Sequence, residues 1–207
     1  MDDPAQAGEA RFETHPSITR SERIWMDDGN IVIIAEKTAF RVHKSILSLH
    51  SEVFKDIFEL EHPSDSLEET FEGCPTLHIS DAASDFTLIL EILYIGGKSV
   101  APNKRFVLEL LAMVALGRKY QITHIEESAV QTLKSRYPVT LECWESLHPG
   151  RTTTFRNSQE KVKTCIHSMR IYTAAQALDL KFMLPTSSHF IFVLTPKEVF
   201  GTRTSRG

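Results

Sequence analysis

The stretch FRVHKSILSLHSEVFKDIF, residues 40–58, decides which fold the sequence predicts. It opens on alternating apolar and polar residues, with Phe40 and Val42 on one side, as in a strand with one buried face. From Val53 onward the apolar residues follow helical spacing, and Ser51 stands where a helix N-cap is expected. The stretch therefore predicts a strand that is followed directly by short helices.

A second strand is predicted just upstream. NIVIIA, residues 30–35, is a β-branched run, and AFRVH, residues 39–43, is the alternating segment that opens the first stretch. Only EKT separates the two segments, which is short enough for a hairpin turn. We therefore expect an antiparallel hairpin before the first helix.

One strand and several helices are predicted downstream. TLHIS, residues 76–80, alternates like a strand, and Gly96 and Gly97 are expected to end the helix that follows it. THIE, residues 123–126, has the spacing of a capping box, and Pro138 is expected to stop the helix it opens. Apolar residues at helical spacing also predict a short helix capped by Thr140 and a long late helix. The apolar residues used for these helix predictions are Phe86, Ile89, Leu90, Leu93, Val107, Leu110, Leu111, Val114, Leu141, Trp144, Leu147, Val162, Ile166 and Met169.

This order of elements predicts an α+β domain, a small sheet covered by helices, because strands and helices do not alternate as in a parallel α/β fold. Composition divides the chain into a disordered tail (1–20), the main domain (21–147), a polar linker (148–159), a helical extension (160–195) and a second disordered tail (196–207). The linker is marked by His148, Pro149 and Gly150.

Composition excludes several classes of protein. A net charge of −4 and a pI near 6.1 argue against direct nucleic-acid binding. No apolar run reaches the roughly eighteen residues of a membrane span, and the polar N-terminus lacks the features of a signal peptide. Cys74, Cys143 and Cys165 are odd in number and far apart, which favours free thiols in a reducing compartment, the cytoplasm or the nucleus.

Three motifs suggest chemistry, and each has a simpler interpretation. His43 beside Lys44 resembles a base next to a reactive amine, but the sequence shows no third group to orient the histidine. GGKS, residues 96–99, has Ile92 where a phosphate loop needs glycine. Cys143 with His148 and Cys165 with His167 lack the paired spacing of a zinc site. We predict no catalytic, cofactor-binding or metal-binding residue.

The quoted segments, in this order, resemble the BTB/POZ domain over residues 28–144. The F-x-V-H-K-x-I-L core followed by S-x-V-F is the specific part of the pattern. The sequence is also similar to BTB proteins of mushroom-forming fungi. In those proteins a helical region with a Leu-Pro pair follows the domain, and LDLKFMLP (178–185) resembles that region here. The main domain is thus identified as a BTB/POZ domain.

The resemblance implies a protein-interaction module without catalytic residues. Members form homodimers or other oligomers. Some bind cullin scaffolds as substrate adaptors of ubiquitin ligases, and others recruit transcriptional co-regulators. The resemblance therefore implies that the chain self-associates and acts as a cullin-dependent substrate adaptor. The alternative is a transcriptional co-regulator that acts through a DNA-binding partner.

Four residues are candidates for contacts with partners. In many members an acid fourteen positions before the basic residue of the His-Lys pair lines a pocket at the dimer interface. Here the two positions are Asn30 and Lys44, so the acid is replaced by an amide. Leu60 and Leu67 are candidate partner-binding residues. They lie in a segment, residues 59–72, that holds six acids and no Lys or Arg and is either a solvated loop or a docking surface.

Overall fold

A computed structural model of the protein describes residues 18–60, 69–96, 105–137 and 158–188, with side chains in the last range described from Lys163 onward except for Cys165. The strands are β1 (Thr19–Trp25), β2 (Ile31–Ala35), β3 (Thr38–Val42), β4 (Thr70–Phe71) and β5 (Cys74–Ile79). The helices are α1 (Lys44–His50), α2 (Glu52–Glu59), α3 (Ala83–Ile95), α4 (Val107–Lys119), α5 (Thr123–Arg136) and α6 (Ser158–Ala177), and a 3₁₀ turn follows (Lys181–Met183). The predicted α+β class is confirmed.

The described strands form one sheet in the order β1-β3-β2-β5-β4. Strands β2 and β3 form the predicted antiparallel hairpin, in which Ile31 is opposite Val42. Glu36 in the turn has a φ of 53°, the left-handed backbone that tight hairpin turns use. Strand β5 pairs with β2 in parallel, so the chain returns to the sheet after α1 and α2.

Aromatic rings join the helices to the sheet and to one another. Phe40 on β3 meets Phe86 on α3 edge-to-face at 5.7 Å, and Phe54 on α2 stacks on Tyr120 at 4.6 Å. Each such pair adds roughly 0.5–1.5 kcal/mol to the effect of burial. Phe86, Ile89 and Leu90 of the predicted stripe are fully buried, so this stripe belongs to the core.

Ser51 is the N-cap that the sequence predicted, and it does more than cap its helix. Its hydroxyl oxygen accepts a hydrogen bond from the backbone N–H of Phe54 at 3.0 Å. The same hydroxyl donates to the backbone carbonyl of Tyr120 at 2.6 Å. The start of α2 is therefore fixed to the end of α4, which makes the helices one packed layer.

Strand β1 was not predicted, and it begins at Thr19, inside the tail predicted over residues 1–20. The segment is mostly polar, and only Ile24 is fully buried. It becomes a strand because it pairs with β3 and because its arginines reach distant acids, Arg20 to Glu72 and Arg23 to Glu91. Contacts this remote in sequence leave no local pattern.

The helix ends test the remaining local predictions. Gly96 ends α3 with a φ of 76°, as expected of a glycine after a helix. The capping box predicted for THIE is wrong, because α5 begins at Thr123 itself and its N-cap is Ile122. The predicted short helix through Leu147 lies outside the described residues, as do residues 189–207.

The helical extension packs against the main domain. Helix α6 begins at Ser158, inside the predicted linker, and buries Ile171 and Ala175 in the same core as α4. After the 3₁₀ turn the chain continues as a helical turn at residues 184–188, so Pro185 stands near the start of a helix instead of ending one. No helix within the described residues is long and apolar enough to cross a membrane.

Candidate interaction surface

The hairpin register brings Asn30 and Lys44 together. Ile31 lies opposite Val42, so the residue before β2 lies beside the residues that follow β3. The Asn30 backbone N–H donates to the carbonyl of Val42 at 3.0 Å. Its side-chain Oδ1 accepts a hydrogen bond from the backbone N–H of Lys44 at 2.8 Å. Asn30 therefore caps α1 from the neighbouring strand, since the helix N-cap, His43, provides no side-chain cap.

The Lys44 side chain turns away from this amide. Its Nζ lies 5.6 Å from the ring centroid of Phe58 on α2, within range of a cation–π contact. Among the described residues it forms no ion pair. The two candidate pocket residues thus meet through a backbone amide instead of a charge pair, and their place in a dimer interface stays a prediction.

His43 has the orienting partners that the sequence did not reveal. Its Nε2 lies 3.2 Å from Oδ1 of Asp28, and its Nδ1 lies 3.3 Å from the hydroxyl of Tyr94. The backbone N–H of His43 also donates to that hydroxyl at 2.8 Å. The contacts are all hydrogen bonds if Nε2 of His43 carries the proton and donates to Asp28, and the Tyr94 hydroxyl donates to Nδ1 while it accepts the backbone N–H.

This arrangement fixes His43 at the strand-to-helix junction. Burial raises the pKa of Tyr94, so the phenol keeps its proton and is not an activated nucleophile. Both ring nitrogens of His43 are engaged by side chains of the chain itself, so the ring is held in place at the junction. Tyr94 lies on α3, 51 residues from His43, which is why the sequence gave no sign of the pairing.

Large apolar side chains reach solvent on several of the described elements. Leu60, a predicted partner-binding residue, follows α2 and is 67% exposed, while Leu67 lies outside the described residues. Leu49 on α1 and Phe106 before α4 are each 78% exposed. On α6 the exposed residues are Ile166 and Met169. Leu49 and Phe106 were not predicted as partner-binding residues, since no apolar stripe was identified over α1 and Phe106 precedes α4.

A groove of about 550 Å³ is lined by α3, α4 and α6, beside the buried contact of α6 with the domain. Its floor is apolar, with Leu88 from α3, Leu108 and Ala112 from α4 and Ala174 from α6. The charged side chains along it are Asp85, Glu109 and Arg170. The groove has the character of a site for an apolar helix face with polar edges.

The metal site considered for the cysteine and histidine pairs is not seen among the described residues. They hold no group of three or more His, Cys, Asp or Glu side chains able to bind a metal ion. Cys74 is buried, and its thiol lies 3.7 Å from the carbonyl of Gly29. Cys143 and the side chain of Cys165 lie outside the described part, as do residues 97–104 after Gly96.

The BTB/POZ domain family model matches residues 26–137, more than half of the 207-residue chain. The chain belongs to the BTB/POZ domain family. Among solved structures, the BTB domain of zebrafish PATZ1 is similar, with 16% identity, a TM-score of 0.39 and coverage of 51% of this chain and 75% of that one. The comparison with curated proteins found no match.

Membership makes the chain a protein–protein interaction module, because that is the role of BTB/POZ domains. The match begins at Met26, after β1, and ends at Tyr137, before α6. The hairpin, the capped junction and the α3–α4 wall of the groove therefore belong to the BTB domain. The opposite wall, on α6, is formed by the extension.

Proposed function

We propose that this BTB/POZ chain self-associates and acts as a cullin-dependent ubiquitin-ligase substrate adaptor. An adaptor needs two surfaces held in a fixed relation, one for the scaffold and one for the substrate. The observation that carries the proposal is the packing of the extension on the BTB domain. Ile171, Ala175 and Met183 are buried in the core that the domain itself forms.

Polar contacts hold the same joint. Arg118 at the end of α4 donates from Nη1 to the carbonyl of Leu178, just after α6, at 2.5 Å. Its Nε also donates to Glu126 of α5 at 2.6 Å. A single arginine thus links α4, α5 and the extension, which favours a rigid connection over a flexible tether.

The groove between α3, α4 and α6 is the proposed binding site for a helix of the cullin. An amphipathic helix would place its apolar face on Leu88 and Leu108. Its polar edges would meet Asp85 and Glu109 on one wall and Arg170 on the other. Such a partner buries apolar area at the centre while the charged rim gives selectivity.

The test is reconstitution from purified components. The full chain is mixed with the amino-terminal domains of a panel of cullins, and complexes are identified by size-exclusion chromatography. Ala112→Trp fills the groove, and Leu49→Ser is the control because Leu49 lies on α1 and does not line the groove. We expect co-elution for the wild type and the control and its loss for Ala112→Trp, with thermal unfolding confirming that the variant is folded.

Failure of every cullin to co-elute with the wild-type chain would overturn the adaptor proposal. Co-elution that is unchanged in Ala112→Trp would overturn the groove as the contact. If no cullin binds but the chain recovers a DNA-binding protein from nuclear extract, transcriptional co-regulation becomes the better account. Self-association is read separately, from the molar mass of the chain alone.

A further inference from the structure

Two histidines face each other where the first helix pair meets α5. His50 is the last residue of α1, and His124 is the second residue of α5. The centroids of their rings lie 5.2 Å apart, and the ring planes are tilted by 55°. The two residues are far apart in the sequence, so the fold alone brings these imidazoles together.

The ring nitrogens of this pair are not used by other described residues. The rings of His43 and His78 each contact a carboxylate. Within the described part of the chain, neither imidazole of the pair enters a hydrogen bond or an ion pair. His124 is exposed and His50 is partly buried, so an ion from solvent can reach both rings. The pair therefore offers two accessible nitrogen ligands.

Buried neighbours hold the backbone of both histidines. Ser51, directly after His50, is 2% exposed, and its hydroxyl donates to the carbonyl of Tyr120 at 2.6 Å. Ile125, directly after His124, is 1% exposed. The Ser51 hydrogen bond thus joins the end of α1 to the turn between α4 and α5. Ligands on a backbone that is already fixed lose less freedom when they bind an ion.

The separation of the two rings is that of two ligands on one tetrahedral ion. With Zn–N bonds of about 2.1 Å and a tetrahedral angle, two ligating nitrogens lie about 3.4 Å apart and their ring centroids about 5 Å apart. The observed 5.2 Å between the rings of His50 and His124 matches this separation. Rotation about the side-chain bonds can turn one nitrogen of each ring toward a shared position.

We propose that His50 and His124 together bind one late first-row divalent cation (Zn²⁺, Ni²⁺ or Cu²⁺), with water in the remaining coordination positions. Imidazole nitrogen suits these ions, whereas Mg²⁺ and Ca²⁺ prefer oxygen. The described residues hold no group of three or more metal-binding side chains, so binding should be weaker than at a four-ligand structural site. The bound ion ties α1 to α5. Neither histidine lines the groove, so the site is independent of the proposed cullin contact.

The test is calorimetric titration of the metal-stripped full chain with ZnCl₂, with MgCl₂ as the control ion. The wild type should bind one more Zn²⁺ than the double variant His50→Gln/His124→Gln. Each single variant should weaken that binding by at least about tenfold, the loss that even an outer-shell partner gives. His167→Gln is the matched control, because His167 is exposed on α6 and away from the pair, and it should bind like the wild type.

Thermal unfolding provides a second readout. An ion that binds only the folded chain raises the melting temperature, by roughly 5–10 °C at about a hundredfold excess over the Kd. The rise from the paired site should be absent in the double variant and present in His167→Gln. Melting curves in EDTA show whether each variant is folded. If the double variant is not folded, His124→Gln carries the test, since it alters an exposed side chain.

Three results would overturn the proposal. One is a wild-type chain that binds no more Zn²⁺ than the double variant. Another is a single variant, at His50 or at His124, that binds Zn²⁺ as tightly as the wild type, because the two rings then do not share an ion. The third is a light-scattering mass that doubles with Zn²⁺ in the wild type but not in the double variant, since the ion would then bridge two copies instead of α1 and α5.

Discussion

The Asn30 side chain accepts a hydrogen bond from the backbone N–H of Lys44 at 2.8 Å, so the residue before the central strand β2 caps the first helix of the BTB domain. Asn30→Ala removes this acceptor and should lower the free energy of unfolding by about 1 kcal/mol. Asn30→Asp keeps an acceptor and places negative charge at the helix N-terminus, so its stability should equal or exceed that of the wild type. Urea unfolding of the three proteins measures both effects, and an alanine variant as stable as the wild type would contradict the cap.

The carboxylate of Glu91 is buried on α3 between two arginines. Its Oε2 lies 3.5 Å from Nη2 of Arg105, whose side chain is 11% exposed, and its Oε1 lies 2.8 Å from Nε of Arg23 on β1. Glu91→Gln leaves the Arg105 guanidinium buried without its main counter-charge and should cost about 3 kcal/mol of unfolding free energy. Arg23→Gln removes a partner whose side chain is 70% exposed and should cost under about 1 kcal/mol. Chemical denaturation ranks the two variants, and equal losses would be inconsistent with this account.

A histidine pair between α1 and α5 should make stability depend on pH. The rings of His50 and His124 lie 5.2 Å apart, and burial, followed by the charge of His50, lowers the pKa of His124 below its ordinary 6.5. The unfolded state therefore binds more protons in the interval just below pH 6.5, so the free energy of unfolding falls as the pH drops through it.

Urea unfolding at about pH 7.5 and about pH 5.5 measures this dependence. His124→Gln should reduce the loss at the lower pH, while His167→Gln, at an exposed position on α6, should leave it unchanged. Equal pH dependence in the wild type and His124→Gln would show that the pair makes no contribution.

Gly29 is required because the backbone of β3 passes close to it. A Cβ at this position would lie 2.9 Å from both the backbone nitrogen and the carbonyl oxygen of Val42. Gly29→Ala should therefore cost about 1–3 kcal/mol of unfolding free energy. At Gly73 nothing lies within 4 Å of such a Cβ, and only a φ of 76° opposes a side chain. Gly73→Ala should therefore cost only about 1 kcal/mol of unfolding free energy. A larger loss for Gly73→Ala than for Gly29→Ala, measured by thermal or urea unfolding, would contradict the clash at Gly29.

Local sequence patterns were sufficient for elements whose determinants lie within a few residues. The β2–β3 hairpin, the Ser51 cap and the Phe86–Leu90 stripe each depend on neighbours along the chain, and each is confirmed. Thr123 shows the limit of such patterns. It has capping-box spacing from Glu126, yet it lies inside the helix, and the buried Ile122 takes the N-cap position without a side-chain cap.

Features that depend on distant residues could not be predicted. Strand β1 forms through β3 and through acids on other elements, so its own mostly polar sequence carried no strand pattern. The surroundings of His43 depend on Tyr94, which the fold alone brings near. On α6 the stripe that predicted the helix, Ile166 with Met169, proved to be its exposed face, since a period identifies a helix but not the side that packs.

The most direct test of the central claim, that this chain is a BTB interaction module whose groove holds a partner, is quantitative affinity capture from lysate. The full chain and Ala112→Trp are used as baits, and the retained proteins are counted by mass spectrometry. We expect a cullin at near-stoichiometric amount on the wild type and its loss on the groove-filling variant, while folding is unchanged. The same retained proteins in the same amounts on both baits would contradict it.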